Sequence, residues 1–303
     1  MKKAVTDEIK QLKAQTNAII LAHYYAPAEA QAVADYVGDS YYLAKVAKGT
    51  AADTVVFCGV GFMGESVKIL NPDKTVLMPD PTADCPMAHM VDVKRIEAMR
   101  ETYPDLAVVC YINSTAALKC HSDVCVTSSN AIRIVKELPN QNIFFIPDQN
   151  LGRFVAEQLP EKNIILNDGY CPIHAAISAE RIKALKTAHP KAEVLAHPEC
   201  RPEILALSDR IGSTAEILTF AKESDARELI ICTEDGVSYA LERQNPNKTF
   251  YYVTEDAPCT DMKRNTPERI LHALKTGDGR VEIDEDTRQK AMRPLERMLE
   301  LAK

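Results

Sequence analysis

Three of the nine cysteines in this 303-residue chain recur at an almost constant interval. Cys85, Cys171 and Cys259 are separated by 86 and 88 residues. An apolar or β-branched run that begins with lysine precedes each of them, over residues 74–80, 162–168 and 248–256. A Pro-x-Lys step starts every run, with the prolines at Pro72, Pro160 and Pro246. A sequence pattern that occurs three times at intervals of about 87 residues indicates three copies of one structural unit.

Two further kinds of marker keep the same interval. Apolar runs end in polar side chains three times, at His23, Asn113 and His197. A turn with small hydroxyl side chains follows each run, and its serines are Ser40, Ser128 and Ser213. Because several markers stay in register across three copies, the sequence favours a true triplication over chance similarity between loops.

Short apolar runs alternate with segments of helical period in every copy. A second set of β-branched runs lies at 54–57, 142–146 and 228–231, and the helical segments lie at 28–36, 130–138 and 214–223. This alternation is typical of parallel sheets whose two faces are covered by helices. The predicted fold class is therefore α/β, with three homologous units around a pseudo-threefold axis. Strand-end loops of all three would then meet at a central junction, where functional groups of such sheets lie.

The markers also divide the chain. We expect a first unit over residues 1–84 together with 275–303, a second over 85–170 and a third over 171–274. The stretch from residue 281 onwards lies outside the repeats and has the pattern of an amphipathic helix. Pro294 favours a kink in that helix, which we expect to close against the first unit.

Charge and hydropathy exclude several kinds of protein. The net charge of −7, without a basic run, argues against a nucleic-acid partner. No apolar stretch reaches the roughly 18–20 residues of a membrane span, and the first residues lack the apolar centre of a signal peptide. We therefore expect a cytoplasmic protein with no membrane partner, in which cysteines serve metal binding, catalysis or packing rather than disulfides.

The cysteines lie in two contexts. Apolar β-like runs contain Cys58, Cys110 and Cys232, where cysteine acts as a small hydrophobic residue. The three periodic cysteines instead follow turn-forming segments, which predicts exposed strand-end thiols suited to soft metals. Three thiolates fit an iron–sulfur cluster with one free iron, or a zinc ion with an open position. Three buried thiols copied by duplication are the non-functional alternative.

Polar groups at the matching strand ends are candidates for catalysis. Pro198 disfavours a helix at His197, so His197 and Glu199 are expected on a loop. Glu199 could act as a general acid or base if its surroundings raise its pKa, whereas a surface ion pair is the alternative. The other two copies offer imidazole, phenol and amide groups, namely His23, Tyr25, Tyr111 and Asn113.

The hydroxyl turns have two readings. Ser40, Ser128 and the pair Ser213-Thr214 each precede a helical segment, so helix capping is their default role. Helix N-termini also bind carboxylates and phosphates through free backbone N–H groups. Three such ends that converge would form a pocket for an anionic substrate.

One glycine motif points to a different function. Residues 59–64 read Gly-Val-Gly-Phe-Met-Gly after an apolar run, which matches the formal dinucleotide-binding pattern. Asp80 comes too early for the acidic residue expected about 20 positions further on. The equivalent loops of the other copies lack the pattern, so nucleotide binding is a minor alternative.

Taken together, these segments resemble the quinolinate synthases, the iron–sulfur enzymes of de novo NAD biosynthesis. The resemblance covers nearly the whole chain and rests on residues 23–25, 38–40, 71–80, 111–113, 127–130, 197–200, 212–214 and 262–263. It implies three α/β/α domains with three layers each, and a [4Fe–4S] cluster held by Cys85, Cys171 and Cys259. It also implies condensation of iminoaspartate with dihydroxyacetone phosphate to quinolinate, with loss of phosphate and water, and a functional link to an aspartate-oxidising enzyme.

The resemblance further implies a role for each candidate residue. The free iron would act as a Lewis acid. The expected catalytic residues are Glu199, His197, Tyr25 and Tyr111, and the expected substrate-binding residues are His23, Ser40, Asn113, Ser128, Ser213 and Thr214. The main alternative is a zinc- or mononuclear-iron-dependent lyase that uses the same three cysteines. A non-enzymatic nucleotide or redox sensor built on the glycine loop is a third hypothesis.

Overall fold

The computed structural model describes residues 2–254 and 257–302. Glu255 and Asp256, at the end of the third predicted run, lie outside the described residues, as do Met1 and Lys303 of the predicted first unit. Within the described ranges, no helix is long and apolar enough to cross a membrane. Three four-stranded sheets form there, and every pair of neighbouring strands is parallel.

The first sheet comprises β1 (Ala18–His23), β2 (Tyr36–Gly38), β3 (Thr54–Cys58) and β4 (Thr75–Leu77). Its strand order is β2-β1-β3-β4. The accompanying helices are α1 (Lys2–Gln15), α2 (Ala28–Val33), α3 (Ser40–Gly49) and α4 (Gly61–Leu70). A 3-10 helix, Pro86–His89, follows the sheet.

The second sheet comprises β5 (Ala107–Tyr111), β6 (Val124–Val126), β7 (Asn142–Ile146) and β8 (Asn163–Leu166), in the order β6-β5-β7-β8. Its helices are α5 (Val93–Thr102), α6 (Ala116–Lys119), α7 (Ala131–Glu137) and α8 (Gln149–Gln158). The central strand β5 is buried at every position, as expected for a strand covered by helices on both faces.

The third sheet comprises β9 (Glu193–Ala196), β10 (Arg210–Ile211), β11 (Glu228–Cys232) and β12 (Thr249–Tyr252), in the order β10-β9-β11-β12. The preceding helices are α9 (Pro172–Ala175) and α10 (Ala179–Ala188), and those within the unit are α11 (Pro202–Leu205), α12 (Thr214–Glu223) and α13 (Ser238–Gln244). The remaining elements are the 3-10 helices Asp235–Val237 and Met262–Arg264, then α14 (Pro267–Thr276) and α15 (Glu285–Leu301).

The same strand order in all three sheets confirms the predicted triplicated α/β fold. The long apolar runs became the strands predicted for them, and Cys58, Cys110 and Cys232 are fully buried as expected. The short edge strands β2, β6 and β10 were not predicted. The helix predicted over 28–36 ends at Val33, and Tyr36 begins β2. Strands of two or three residues carry no periodic signal, because pairing with a neighbouring strand is what orders them.

Three aspartate side chains, one in each unit, make the same connection, although the sequence interpretation missed them. The carboxylates of Asp35, Asp123 and Asp209 each accept a hydrogen bond from a backbone N–H on the first strand of their unit. The three N···O distances are 2.8, 2.7 and 2.8 Å, and the donors are Ile20, Val108 and Val194. A cationic side chain pairs with each carboxylate, supplied by Lys13, Arg100 and Lys186.

The lysine of each Pro-x-Lys step has the same role in all three copies. Lys74, Lys162 and Lys248 each donate from Nζ to two backbone carbonyls just before or after the C-terminus of an earlier helix of their unit. For Lys74 the acceptors are Thr50 and Ala52, at 2.8 and 2.7 Å. Carbonyls at a helix C-terminus lack partners within the helix, so these lysines satisfy them.

The two C-terminal helices connect units. Helix α14 packs against α1, α2 and β3 of the first unit, where Ile270, Ala273 and Leu274 are buried. Helix α15 packs against α4 of the first unit and also against α6 and β6 of the second. Pro294 lies inside α15, which the sequence had predicted as an amphipathic helix. The domain limits at residues 84, 170 and 274 stay a prediction, and the packing of α14 favours placing the last one near residue 266.

Replacing Lys162 by Met tests the repeated lysine. Met keeps a similar side-chain length but leaves the carbonyls of Leu138 and Asn140 without their charged donor. We expect the free energy of unfolding to fall by about 1–2 kcal/mol, measured by urea denaturation. The control is Lys136→Met on the exposed side of α7, with an expected change within about 0.5 kcal/mol. Equal losses for the two variants would contradict the role of Lys162.

Candidate active site

A cavity of about 240 Å³ lies where the strand-end loops of the three units meet. Because all strands of a parallel sheet end on the same edge, each unit contributes its polar strand-end residues there. All four predicted catalytic residues line it, namely Tyr25, Tyr111, His197 and Glu199. Five predicted substrate-binding residues line it as well: His23, Ser40, Asn113, Ser128 and Thr214. The periodic cysteines Cys85, Cys171 and Cys259 complete the lining.

Ser213 occupies a different position from the other candidates. It is absent from the described residues that line the cavity, and its hydroxyl caps α12 by accepting from the N–H of Glu216. Glu216 closes a capping box by accepting from the N–H of Ser213 at 2.7 Å. Ser40 shows the reverse arrangement, because Asp39 caps α3 and leaves the Ser40 hydroxyl at the cavity wall. Ser128 also faces the cavity, with its Oγ 3.2 Å from Nε2 of His197.

Glu199 is the charged group at the centre of the site. It is buried, and its Oε2 lies 2.8 Å from Nδ1 of His174 and 3.9 Å from Nδ1 of His197. Burial alone would raise the pKa of Glu199, but the charge interactions with His174 and His197 and hydrogen bonds from His174 and Tyr111 outweigh it. The pKa is lowered to about 2, which is the opposite of the raised pKa that a general acid would need. Glu199 is therefore ionised in the free site, where its low pKa makes it a weak base and suits it to stabilise positive charge on a neighbouring group.

His174 is a site residue that the sequence interpretation missed. Its ring is buried on α9, with Nδ1 3.2 Å from Sγ of Cys171 and Nε2 2.9 Å from Oγ1 of Thr233. The only sequence signal is its spacing, since His174 follows Cys171 by three residues and both fall on one helical turn. The two other copies have no histidine at this place, so a search for repeats could not find it.

Cys171, His174 and Glu199 form a compact group of possible metal ligands. The ligand atoms of the three side chains lie within 4.8 Å of one another. Sulfur, imidazole nitrogen and carboxylate oxygen together are a donor set that suits zinc or iron. The site therefore combines potential metal ligands with groups that can transfer protons.

A chain of hydroxyl groups connects Tyr25 to His174. The phenol of Tyr25 lies 2.6 Å from Oγ1 of Thr233 and 2.8 Å from Oγ1 of Thr214. Thr233 in turn contacts Nε2 of His174. Burial, with a further contribution from the charge of Glu199, raises the pKa values of Tyr25 and Tyr111 well above the ordinary value. Both phenols therefore keep their protons and can donate them to an oxygen that develops negative charge.

His23 and His197 are buried in their neutral form. Burial lowers the pKa of each imidazole to about 3, although the charge of Glu199 acts in the opposite direction. Nδ1 of His23 accepts a hydrogen bond from the N–H of Tyr25 at 3.1 Å, and Nδ1 of His197 accepts one from the N–H of Glu199 at 3.3 Å. Each ring therefore has Nε2–H available as a donor.

The fold and the site together define an α/β protein with one cysteine-lined cavity shared by three repeated units. The family model described as quinolinate synthetase A protein matches residues 7–300. A quinolinate synthase of Fusobacterium nucleatum is 51% identical over 296 residues, which cover 98% of this chain and 99% of the relative. A quinolinate synthase of Clostridioides difficile is 50% identical over 302 residues, which cover 100% and 99%. One of Aquifex aeolicus is 44% identical over 305 residues, which cover 99% and 95%. The chain belongs to the quinolinate synthetase A family.

The neutral histidines predict a pH-dependent stability. Their folded pKa values of about 3 lie below the unfolded value of 6.5, so the unfolded chain binds protons first as the pH falls. Stability from these groups is complete above pH 6.5 and is lost as the pH falls towards 3. Between pH 7.5 and 5.5, we expect His23 and His197 together to lower the free energy of unfolding by about 3 kcal/mol.

Urea denaturation at both pH values measures this loss. The variant with His23→Gln and His197→Gln has no imidazole at either position, so its stability should depend less on pH by about the same amount. The exposed His272 provides the control, because His272→Gln should leave the pH dependence unchanged. If the double variant kept the full dependence, the buried histidines would not be its source.

Proposed function

We propose that this chain condenses iminoaspartate with dihydroxyacetone phosphate to quinolinate, releasing phosphate and water, with a [4Fe–4S] cluster on Cys85, Cys171 and Cys259. One observation carries the proposal: a cysteine from each of three repeats lines the cavity that also contains Glu199 and the two phenols. Membership of the quinolinate synthetase A family and curated relatives of that name support it over nearly the whole chain.

The local geometry of the cysteines fits a cluster. Each is free and half-buried, and each begins a short helical turn. Backbone N–H groups of that turn act to lower the thiol pKa, from Ala88 and Met87 for Cys85, from His174 for Cys171, and from Met262 and Asp261 for Cys259. Such N–H groups stabilise a thiolate.

The charge balance supports the same assignment. Burial raises the pKa values of all three thiols, to about 12 for Cys85, and the neighbouring acidic groups and cysteines add to this. Three thiolates that line one cavity therefore need a strong positive charge among them, which iron provides. A cluster with one iron not held by cysteine supplies a Lewis-acid position when bound.

Different residues of the cavity are assigned to accept protons and to donate them. We assign proton acceptance from a carbon or nitrogen of the substrate to Glu199, because an anionic substrate bound beside this carboxylate raises its pKa towards the range that a base needs. Tyr25 and Tyr111 carry protons that leaving hydroxyl groups need during dehydration. His174 lies between Glu199 and Thr233, so a proton can pass from the carboxylate towards Tyr25 along hydrogen bonds.

Substrate binding depends on neutral donors. Neither lysine nor arginine occurs among the described residues that line the cavity. Carboxylates and phosphate of the substrates must therefore bind through hydroxyl, amide and imidazole N–H groups, together with the metal. We assign this role to His23, Ser40, Asn113, Ser128 and Thr214. Ser213 contributes through its cap, which fixes the N-terminus of α12 beside Thr214.

Two further parts of the proposal follow from this chemistry. Iminoaspartate is an unstable imine, so an aspartate-oxidising enzyme has to supply it. Nine free cysteines, with an oxygen-sensitive cluster on three of them, fit the reducing environment of the cytoplasm.

A zinc- or mononuclear-iron-dependent lyase is the alternative use of the periodic cysteines. The mixed group of Cys171, His174 and Glu199 favours it, since zinc often binds such donors. Iron and sulfide analysis of anaerobically purified protein separates the two, because only a cluster contains inorganic sulfide.

Substitution of any one periodic cysteine by Ala tests the cluster. We expect Cys85→Ala, Cys171→Ala and Cys259→Ala each to abolish cluster absorbance and quinolinate formation together. Cys120→Ala is the control, since its half-buried thiol lies outside the cavity and should leave both unchanged. A full cluster in any of the three variants would refute the ligand assignment.

Glu199→Gln tests the carboxylate. Gln keeps the shape but cannot take up a proton, so we expect kcat to fall by about 10²–10⁴-fold with a full iron and sulfide content. The matched control is Glu203→Gln on the exposed side of α11, which should retain wild-type turnover. Near-normal turnover of Glu199→Gln would remove Glu199 from catalysis, and loss of the metal would instead favour the mixed-ligand site.

A further inference from the structure

Two buried carboxyl groups occupy equivalent places in the second and third units. Asp148 follows β7 by two residues and Glu234 follows β11 by two residues, and they are 86 positions apart. Their exposed fractions are 0% and 1%. Buried acidic groups are rare in proteins unless they have a specific hydrogen-bonding task.

Asp148 holds the backbone of Cys171. Its Oδ2 accepts a hydrogen bond from the N–H of Cys171 at 3.2 Å. Its Oδ1 accepts from the N–H groups of Asn150 and Leu151, both at 2.8 Å, and so caps α8. Both oxygens of this carboxyl group are therefore in use.

Glu234 holds the backbone of Cys259 in the same way. Its Oε1 accepts from the N–H of Cys259 at 3.0 Å, and its Oε2 accepts from the N–H of Gly236 at 2.7 Å. Lys263 adds a cation 2.8 Å from Oε1. Two of the three periodic cysteines thus donate their backbone N–H to a buried carboxyl group. Asp148 accepts it from Cys171, and Glu234 accepts it from Cys259.

Each carboxyl group also lies on a turn that holds a catalytic residue of another unit. Next to Asp148, the side chain of Asn150 donates to the carbonyl of Glu199 at 3.1 Å. Beside Glu234, Gly236 touches the backbone of Tyr25 so closely that a Cβ would lie 2.6 Å from the Tyr25 carbonyl oxygen. Lys263 donates to that same oxygen at 3.1 Å.

The first unit has no buried carboxyl group at the equivalent position. Val60 occupies the equivalent position, and the N–H of Cys85 bonds instead to Asp84, its own neighbour. The side chain of Asp84 is 54% exposed, so water can replace it there. The contrast shows that the fold can form this turn without a buried acid.

We infer that Asp148 and Glu234 are positioning residues, which fix Cys171 and Cys259 of the metal centre relative to Glu199 and Tyr25. The inference rests on the proposed cluster function. Both oxygens of each carboxyl group accept hydrogen bonds from backbone N–H groups, whereas an amide offers only one acceptor oxygen. Asp148→Asn and Glu234→Gln therefore keep the shape of the side chain but place an NH2 group opposite a backbone N–H. Each variant loses the hydrogen bond either to the cysteine or to its own turn.

The test uses the anaerobically reconstituted enzyme with its cluster. For Asp148→Asn, we expect the cluster to be lost to an iron chelator about tenfold faster than in the wild type, a factor that corresponds to about 1.4 kcal/mol. The electron paramagnetic resonance spectrum of the reduced cluster should shift. We also expect kcat to fall at least about tenfold with a smaller change in KM, because misplaced reacting groups affect the transition state most. Glu234→Gln should behave similarly.

Asp84→Asn is the matched control, because it changes the same kind of contact at Cys85, where the carboxylate is exposed. Its chelation rate should stay within about twofold of the wild type, since water can supply the lost acceptor. Wild-type chelation rates and spectra in both buried variants would overturn the inference while leaving the proposed function intact. Variants that unfold before they lose iron, as seen in thermal melting, would also overturn it. A wild-type chain that binds no iron and sulfide would overturn the proposed function, and this inference with it.

Discussion

The common direction of the strands is the constraint on which the rest of this structure depends. Parallel strands need helices on both faces, so each unit is closed everywhere except at the loops that follow its strands. In every unit these loops leave from the same edge of the sheet, and the three edges meet at one cavity. Side chains that are far apart in sequence are thereby brought within hydrogen-bond distance, as for His197 and Ser128, which are 69 residues apart.

Burial decides how the site is charged. Glu199 stays ionised because histidines and a phenol surround it, whereas His23, His197 and both tyrosines stay neutral because burial penalises their charged forms. Glu199 shares the cavity lining with other acidic side chains, among them Asp39 and Glu234, so an anionic ligand needs hydrogen-bond donors and a bound cation to offset that negative charge. The thiols remain protonated until a cation binds, which couples metal binding to the charge of the pocket.

The three copies share the groups that build the fold and differ in the polar groups that line the cavity. In every unit a lysine donates to backbone carbonyls, namely Lys74, Lys162 and Lys248. An aspartate also accepts from a backbone N–H of the first strand in each unit, namely Asp35, Asp123 and Asp209. The strand ends instead carry His23 in one copy, Asn113 in another and His197 in the third. Three identical units would line the cavity with three identical sets of side chains, so this divergence gives the cavity a different set of polar groups from each unit.

Periodicity in the sequence by itself determined the triplication, the central strands and most of the cavity lining, because markers a constant distance apart must occupy equivalent places in repeated units. The tertiary structure alone decided three things. It set the charge of Glu199, since a pKa depends on neighbours from other units. It added His174, which contacts a side chain distant in sequence, and Asp148 and Glu234, which accept hydrogen bonds from backbone N–H groups of residues more than 20 positions away. It also made Ser213 the N-cap of α12 and left Ser40 facing the cavity, because Asp39 already caps α3.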